Sequence, residues 1–289
     1  MPIWTFRRTI SLGSNVPWSR GNTMRQRIQW ALQWWRSELV GFRYEYVTDN
    51  TGQVVSVELL ADMWGAPLSV LLTQLRTEWR TLTLLEPWII QAWLLHADIH
   101  SWYNPFWVDI EWLSGIILCV NAYLSDISNI DFPDFIKWLL ADAKLIDKKK
   151  LLIEILEVGH SWDITTQLFY NIRRLNHLGI EFAVDDYDIL DNKVWNISRE
   201  LFDALWSHGS LEWLPRLCNR LKLDYEITDL LLAWDTQTHQ ALLALLKKYP
   251  WVIITAEWIK QDSDEITLAT FGITFFQHYS RWNSRFGDL

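Results

Sequence analysis

The stretch Leu151-Leu152-Ile153-Glu154-Ile155-Leu156-Glu157 decides how the rest of the sequence is interpreted. A run of large aliphatic residues this dense is typical of a strand that is buried on both faces. Glu154 stands in the middle of the run, where an ionised carboxylate is costly unless a cation or a positive side chain pairs with it. The stretch therefore predicts a buried strand that carries a functional acid.

Three other apolar runs are also followed directly by acidic residues. Residues 54–57 lead into Glu58, residues 182–184 into Asp185 and Asp186, and residues 252–256 into Glu257. Each acid would be costly to bury alone, for the same reason as Glu154. Four buried strands that each deliver an acid predict a single acidic site assembled from strand ends.

Strand and helix patterns alternate along the chain at intervals of roughly 30 residues, the length of a parallel β–α unit. Asn121, Glu154 and Asp185 follow one another at intervals of 33 and 31 residues. The chain has room for seven or eight such strands, so the pattern predicts a single-domain α/β protein with a closed (β/α) barrel. In that fold the functional groups gather at the carboxyl ends of the strands, which is where these residues fall.

Composition and charge exclude several classes of partner. The formal net charge of −9 argues against DNA or another long nucleic acid and against an anionic membrane surface. A small anionic ligand stays compatible with this charge if divalent cations neutralise the site. The two cysteines do not make a disulfide framework, and no apolar stretch is long enough to span a bilayer. We therefore expect a cytoplasmic protein.

The first part of the chain precedes the alternating pattern. Residues 1–21 are polar and turn-forming, and we interpret them as an N-terminal tail before a domain that spans residues 22–289. Apolar residues at helical spacing begin at Thr23, and residues 66–100 also have a helical pattern. Between these two segments, the turn residues 48–52 separate two strand patterns and predict a hairpin.

The predicted site is rich in oxygen ligands. It would contain Glu58, Asn121, Glu154, Glu157, Asp185, Asp186, Lys222, Glu257 and Gln277. So many carboxylates cannot all ionise side by side without cations. Hard oxygen ligands suit Mg²⁺ or Mn²⁺ better than zinc. Two such cations can clamp the attacking and leaving oxygens of a phosphoryl displacement, and a nearby lysine can hold the attacking water.

Seven short segments of the chain match the motifs of one protein family in order. They are Glu58-Leu59-Leu60, Cys119-Val120-Asn121-Ala122-Tyr123, Glu154-Ile155-Leu156-Glu157, Asp185-Asp186-Tyr187, Leu221-Lys222-Leu223-Asp224, Ala256-Glu257-Trp258-Ile259-Lys260 and Gln277-His278-Tyr279. They resemble the Glu-Ala-Leu, Ser-Val-Asn-Leu-Ser, Glu-x-Thr-Glu, Asp-Asp-Phe-Gly-Thr-Gly, Leu-Lys-Ile-Asp, Ala-Glu-Gly-Val-Glu and Gln-Gly-Tyr motifs of the EAL domain. That bacterial family consists of phosphodiesterases specific for cyclic-di-GMP, and the resemblance covers residues 23–282.

The resemblance implies a modified (β/α)8 TIM-like barrel that commonly dimerises and uses Mg²⁺ or Mn²⁺. It implies that the first cation is bound by Glu58, Asn121, Glu154 and Asp185, and the second by Asp186 with Glu257 nearby. It places Lys222 beside the attacking water and Glu157 in the loop after the Glu154 strand. It assigns Gln277 to the shell that orders the water or the cation.

The chain departs from the family at three groups of positions. Asp62 replaces an arginine that grips a ligand phosphate, and Tyr44 or Glu45 replaces a glutamine before the hairpin. The loss of a charge-assisted contact of the first kind costs about 1.5–3 kcal/mol. The Gly-Thr-Gly loop is replaced by an expanded loop at 188–209, and Trp258 and His278 replace glycines whose neighbours line the site. We expect their bulk to narrow the ligand cleft.

Three functions are consistent with these features. The leading hypothesis is a divergent phosphodiesterase that hydrolyses cyclic-di-GMP to the linear dinucleotide pGpG by cation-assisted attack of water. The alternative is a catalytically inactive EAL-like regulator that binds cyclic-di-GMP or a regulatory protein partner. A barrel glycosidase is the third hypothesis, because paired carboxylates and the 21 tryptophans suit sugars. It leaves Lys222 and Asn121 without a role.

Overall fold

The computed structural model describes residues 41–63, 66–67, 117–134, 136–137, 151–156, 164–191, 197–208 and 216–278. All of them belong to one compact unit, Val40–Leu289. The predicted tail, the predicted helix from Thr23, residues 68–100 of the second helical pattern and Glu157 lie outside the described residues. Residues 66–67, the start of that second pattern, form a short strand instead of a helix.

The described residues form nine strands in a single sheet. They are β1 (Gly41–Asp49), β2 (Val54–Met63), β3 (Ala66–Pro67), β4 (Ile117–Ala122), β5 (Leu151–Ile155), β6 (Glu181–Tyr187), β7 (Arg220–Leu223), β8 (Ile253–Ile259) and β9 (Phe275–His278). Neighbours pair in the order β1-β9-β8-β7-β6-β5-β4-β2-β3, and β1 also pairs with β2. The sheet therefore closes into a barrel, with β3 as a short extension beyond β2.

The barrel is parallel except at β1. Strands β2 and β4 to β9 run parallel to one another, whereas β1 is antiparallel to both β2 and β9. The short β3 is antiparallel to β2. Eight of the described strands thus complete the ring, and the antiparallel strand is what modifies the regular pattern. This confirms the prediction of a modified (β/α)8 TIM-like barrel.

Helices connect the parallel strands. The described ones are α1 (Leu124–Ile127), α2 (Thr166–Asn176), α3 (Ser198–His208), α4 (Tyr225–Leu232), α5 (Thr236–Lys248) and α6 (Asp262–Ala269). Helix α2 shows why they form: Leu168, Ile172 and Leu175 lie on one face and are fully buried. No described helix is both long enough and apolar enough to cross a lipid bilayer.

The β1–β2 hairpin forms where the turn residues predicted it. One carboxylate oxygen of Asp49 accepts hydrogen bonds from the backbone N–H groups of Thr51 and Gln53, at 2.9 and 3.0 Å. Gly52 has a φ of +78°, in the left-handed region that favours glycine. These local contacts fix the turn that joins the antiparallel strand β1 to β2.

The predicted expanded loop at 188–209 contains a helix. Helix α3 occupies most of its second half, packs against β6 and buries Leu201, Phe202 and Leu205 completely. Ser198 at its start accepts a hydrogen bond from the backbone N–H of Asp188. The turn residues at both ends of the segment predicted a loop, although the apolar residues between them form one face of a helix. The interpretation of the whole segment as one loop is therefore corrected.

The inward-facing side chains form layers. Cys119, Leu152 and Ala183 lie together as an apolar layer inside the barrel. Because side chains alternate between the two faces of a strand, the residue two positions later also faces inward. Those residues are Asn121, Glu154 and Asp185, so an apolar floor lies below a polar layer at the carboxyl ends of the strands.

Candidate metal centre

The barrel brings together eight predicted or newly found polar side chains at the end of the barrel where the parallel strands have their carboxyl ends. Glu45 comes from β1, Glu58 from β2, Asn121 from β4, Glu154 from β5, Asp185 from β6, Lys222 from β7, Glu257 from β8 and Gln277 from β9. Asn121 is the direct register partner of Glu154. All of the predicted site residues that the structure describes lie on this layer or, in the case of Asp186, one residue beyond it.

Lys222 lies at the centre of the carboxylates. Its Nζ is 2.7 Å from Oε1 of Glu257 and 2.8 Å from Oε2 of Glu154. The same nitrogen is 3.0 Å from Oδ1 of Asp185 and 3.3 Å from Oε2 of Glu58. One ammonium group therefore pairs with acids from four different strands.

A second network of hydrogen bonds extends from Glu58 toward β1. Asn121 donates from Nδ2 to Oε1 of Glu58 at 2.5 Å. Gln277 donates from Nε2 to Oε2 of Glu58 at 2.8 Å and to Oε2 of Glu45 at 2.7 Å. The sequence singled out position 45 only as a departure from the family, so its carboxylate is a site residue that sequence reasoning missed.

Burial sets the electrostatics of the cluster. Lys222 is 3% exposed and Glu154 is 1% exposed. Burial raises the pKa of Glu154 to about 8, and repulsion from Glu58 adds to the rise. Burial also raises the pKa of Asp185 and, more strongly, that of Glu257, although the attraction of Lys222 opposes both changes. The cluster therefore contains more acids than one lysine can keep ionised.

For Glu58 and Lys222, the pKa shifts favour the charged form of each side chain. Burial works to raise the pKa of Glu58, but the charge of Lys222 and the hydrogen bonds from Asn121 and Gln277 outweigh it, and the pKa falls below its usual value. Burial works to lower the pKa of Lys222, but the surrounding acids, Asp185 foremost, raise it well above its ordinary range. Lys222 thus stays cationic, and Glu58 stays anionic.

Two amide oxygens in the cluster have no donor among the described groups. Asn121 Oδ1 and Gln277 Oε1 are buried, and no described group gives them a hydrogen bond. A buried carbonyl oxygen without a partner costs about 1–3 kcal/mol. A divalent cation would accept both amide and carboxylate oxygens, and this set of hard donors fits Mg²⁺ or Mn²⁺.

A second group of oxygens lies between β6 and β8. One carboxylate oxygen each from Asp185, Asp186 and Glu257 lie within 4.8 Å of one another. Asp186 has a φ of +44°, so its side chain leaves the strand in a direction that differs from the regular alternation. This is the place at which the sequence predicted a second cation.

The fold matches structures of one family, whereas no family model and no curated sequence matches the chain. The EAL enzyme Bd1971 with cAMP and cyclic-di-GMP bound aligns with a TM-score of 0.62 at 14% identity, over 88% of this chain and 63% of that one. The PaMucR phosphodiesterase in complex with cyclic-di-GMP aligns with a TM-score of 0.59 at 16% identity, over 83% and 94% of the two chains. The chain has the EAL-domain fold.

A third structure with the EAL fold is a complex with a metal ion. It is Klebsiella pneumoniae BlrP1 in a calcium and cyclic-di-GMP complex, which aligns with a TM-score of 0.59 at 16% identity over 82% of this chain and 54% of that one. The chain thus spans less than two thirds of Bd1971 and of BlrP1. At these identities the comparison establishes the shared EAL fold.

Of the two residues expected to narrow the cleft of the EAL fold, His278 does not face it. Its Nε2 lies 2.5 Å from Oε1 of Glu265 on α6 and 3.0 Å from Oγ1 of Thr48. Gln277 points into the barrel, and the next residue on the strand points to the other face. The expectation that His278 narrows the cleft is therefore wrong.

Trp258 lies beside the cluster, directly after Glu257. It is 38% exposed, and its ring centroid is 5.4 Å from that of Tyr225 at the start of α4. Its φ of +61° is a left-handed conformation that is rare for a bulky side chain. Glycine adopts this backbone conformation without strain. Glu157 and the side chains of Tyr44 and Asp62 lie outside the described part of the chain.

Proposed function

We propose that the chain is a divergent member of the EAL family that hydrolyses cyclic-di-GMP to linear pGpG with Mg²⁺ or Mn²⁺. The observation that carries the proposal is the meeting of Lys222 with four carboxylates at the carboxyl ends of an EAL-fold barrel. Functional groups of (β/α) barrels gather at this end. A buried cluster with this excess of acid would be costly to keep without a cation.

The proposed cation ligands form two subsites. Glu58, Asn121, Glu154 and Asp185 would hold the first cation, and Asp186, with Glu257 nearby, would hold the second. The donorless Oδ1 of Asn121 supports the first subsite, and the close oxygens of Asp185, Asp186 and Glu257 support the second. When bound, the cations would supply Lewis-acid activation of water and would neutralise charge on the phosphodiester.

The side chains divide the remaining work. Lys222 keeps its proton at neutral pH, so it acts as a donor that holds the attacking water and offsets the phosphate charge. Glu257 lies 2.7 Å from Lys222 Nζ, so its ionised carboxylate is close enough to the water held by Lys222 to accept a proton from it. Water oxygen bonds to phosphorus and gives up a proton while the bond from phosphorus to the 3′ oxygen breaks, and that oxygen takes up a proton from solvent and leaves as a hydroxyl group.

Gln277 and Glu157 support this arrangement in the proposal. Gln277 holds Glu58 in place through its 2.8 Å hydrogen bond, which orders the shell around the first subsite. Glu157 keeps the role that the resemblance gives it, in the loop after β5. A glycosidase is disfavoured, because Lys222 bridges the acids that would have to serve as its separate acid and base.

The proposal is tested by turnover of cyclic-di-GMP. Purified protein is incubated with MnCl₂ and the dinucleotide, and the products are separated by chromatography. We expect pGpG from the wild type and none from Glu58→Ala. Glu181→Gln is the matched control, because Glu181 pairs with Arg220 away from the cluster. The absence of turnover with every divalent cation tried would overturn the proposed reaction.

An inactive regulator is the second candidate. It is favoured by Asp62 at the position of a phosphate-binding arginine and by Trp258 at the edge of the site. Calorimetry separates the two candidates. Binding of cyclic-di-GMP without hydrolysis, or of a regulatory protein partner without the dinucleotide, would favour the regulator.

The cellular setting belongs to the same proposal. We expect a cytoplasmic bacterial signalling protein that forms a homodimer and binds neither DNA nor a membrane. The net charge of −9 supports the last two expectations. Sedimentation of the purified protein would test the dimer, and a DNA-binding assay at low salt would test the exclusion of nucleic acid.

A further inference from the structure

Glu45 is buried inside the barrel beside the proposed first cation subsite. It is 5% exposed, and Gln277 Nε2 donates to its Oε2 at 2.7 Å. The same nitrogen donates to Oε2 of Glu58 at 2.8 Å. The amide group of Gln277 on β9 therefore joins Glu45 on β1 to Glu58 on β2.

The orientation of the Gln277 amide follows from these two contacts. Both carboxylates accept a hydrogen bond, so the amide must present its N–H₂ group to them. Its Oε1 then faces elsewhere in the site, where it is buried and has no donor among the described groups. Gln277 is 2% exposed, so bulk water does not replace the missing donor.

We propose that Glu45 is a positioning residue of the cation centre that acts through Gln277. With Glu58, it holds the Gln277 amide so that Oε1 stays available as an oxygen ligand, and its charge strengthens the attraction for a divalent cation. The inference rests on the proposed function, because it takes the cluster to be a cation centre. It adds a carboxylate that lies outside the four ion pairs of Lys222.

The substitution Glu45→Gln separates this role from simple packing. Glutamine has nearly the same shape as glutamate, but its amide can donate to Gln277 Oε1 as well as accept from Nε2. The variant would therefore lose both the orientation of the amide and one negative charge. Glu45→Asp keeps the charge but withdraws it from Gln277 by one methylene group.

The experiment is a titration of the metal-free protein with MnCl₂ alone. Binding is measured by calorimetry and by the electron paramagnetic resonance signal of free Mn²⁺. We expect the Mn²⁺ dissociation constant to rise about tenfold in Glu45→Gln, the size of effect typical of residues that orient metal ligands. Glu45→Asp should show a smaller rise. Glu181→Gln removes a carboxylate elsewhere on the barrel and should leave the constant unchanged.

Thermal unfolding of the same samples in EDTA provides the second readout. If Glu45 is a positioning residue, the Mn²⁺ dissociation constant of Glu45→Gln should rise even where the metal-free variant melts at the wild-type temperature. A lower melting temperature together with unchanged Mn²⁺ affinity in both Glu45 variants would overturn the inference. An absence of Mn²⁺ binding by the wild type would instead overturn the proposed cation centre itself.

Discussion

The Nζ atom of Lys222 lies 2.8 Å from Oε2 of Glu154, and both side chains are almost completely buried. The two residues are adjacent neither in sequence nor in the sheet, because β6 separates their strands. The contact therefore exists only across the inside of the closed barrel. Closure of the barrel thus brings the positive charge of Lys222 to the buried acids of the site.

Removal of the central cation should destabilise the metal-free protein. Lys222→Met would leave four carboxylates facing one another, and breaking a buried ion pair in this way typically costs about 3–5 kcal/mol. Urea unfolding in EDTA measures the change. Lys260→Met is the control, because its pair with Asp229 is exposed and should contribute at most about 1 kcal/mol. Equal losses in both variants would contradict the central role of Lys222.

The stability of the metal-free protein should fall as pH rises. The pKa of Glu154 is raised to about 8 from an ordinary value of 4.5, so between these values the folded protein holds a proton that the unfolded chain has released. The folded state then binds more protons, and the free energy of unfolding decreases with pH across this window.

Glu154→Gln isolates this effect. The variant lacks the titrating group, so its unfolding free energy should decrease less than that of the wild type between pH 5 and pH 8. The measurement is urea unfolding in EDTA at a series of pH values. Identical pH profiles for the two proteins would show that Glu154 does not hold a proton in the folded state.

Divalent cations should stabilise the protein by mass action. Mn²⁺ at 100 times its dissociation constant should add about 2.7 kcal/mol to the free energy of unfolding. Asn121→Ala removes a buried amide oxygen of the first subsite and should need at least about tenfold more Mn²⁺ for the same gain. Melting curves across a Mn²⁺ series test both statements. A gain that is the same in Asn121→Ala would exclude this residue from the subsite.

The left-handed backbone at Trp258 predicts a difference between two small replacements. Trp258→Ala and Trp258→Gly both remove the ring and its contact with Tyr225, so comparison of the two isolates the backbone term. Because φ is +61°, the glycine variant should be more stable than the alanine variant by about 1 kcal/mol. Urea unfolding decides the order, and an alanine variant of equal or greater stability would contradict the argument.

The acids of the parallel strands were predictable because a charged residue within an apolar run is visible in the sequence. Glu154 and Asp185 both follow this rule, and both face the barrel interior as expected. The alternation of strands and helices likewise predicted the barrel. Apolar residues indicate which segments are buried, and their spacing distinguishes helices from strands. This local information was sufficient to predict these features.

Two features that the sequence did not predict, the place of Glu45 in the site and the direction of His278, depend on closure of the barrel. Glu45 lies in a hairpin strand whose sequence does not distinguish an inner from an outer face, and only its pairing with β9 turns it toward Gln277. The direction of His278 depends on the same register. Helix α3 was missed for a different reason, because turn residues on both sides of it dominated the pattern.

The central claim is that acids from separate strands hold divalent cations around Lys222. The most direct test is a crystal structure of the protein soaked in MnCl₂, with the Mn²⁺ ions located by their anomalous scattering. We expect anomalous peaks beside Glu58, Asn121, Glu154 and Asp185 and beside Asp186 and Glu257. Electron density with no anomalous peak at either place, and with Lys222 still paired to all four carboxylates, would contradict it.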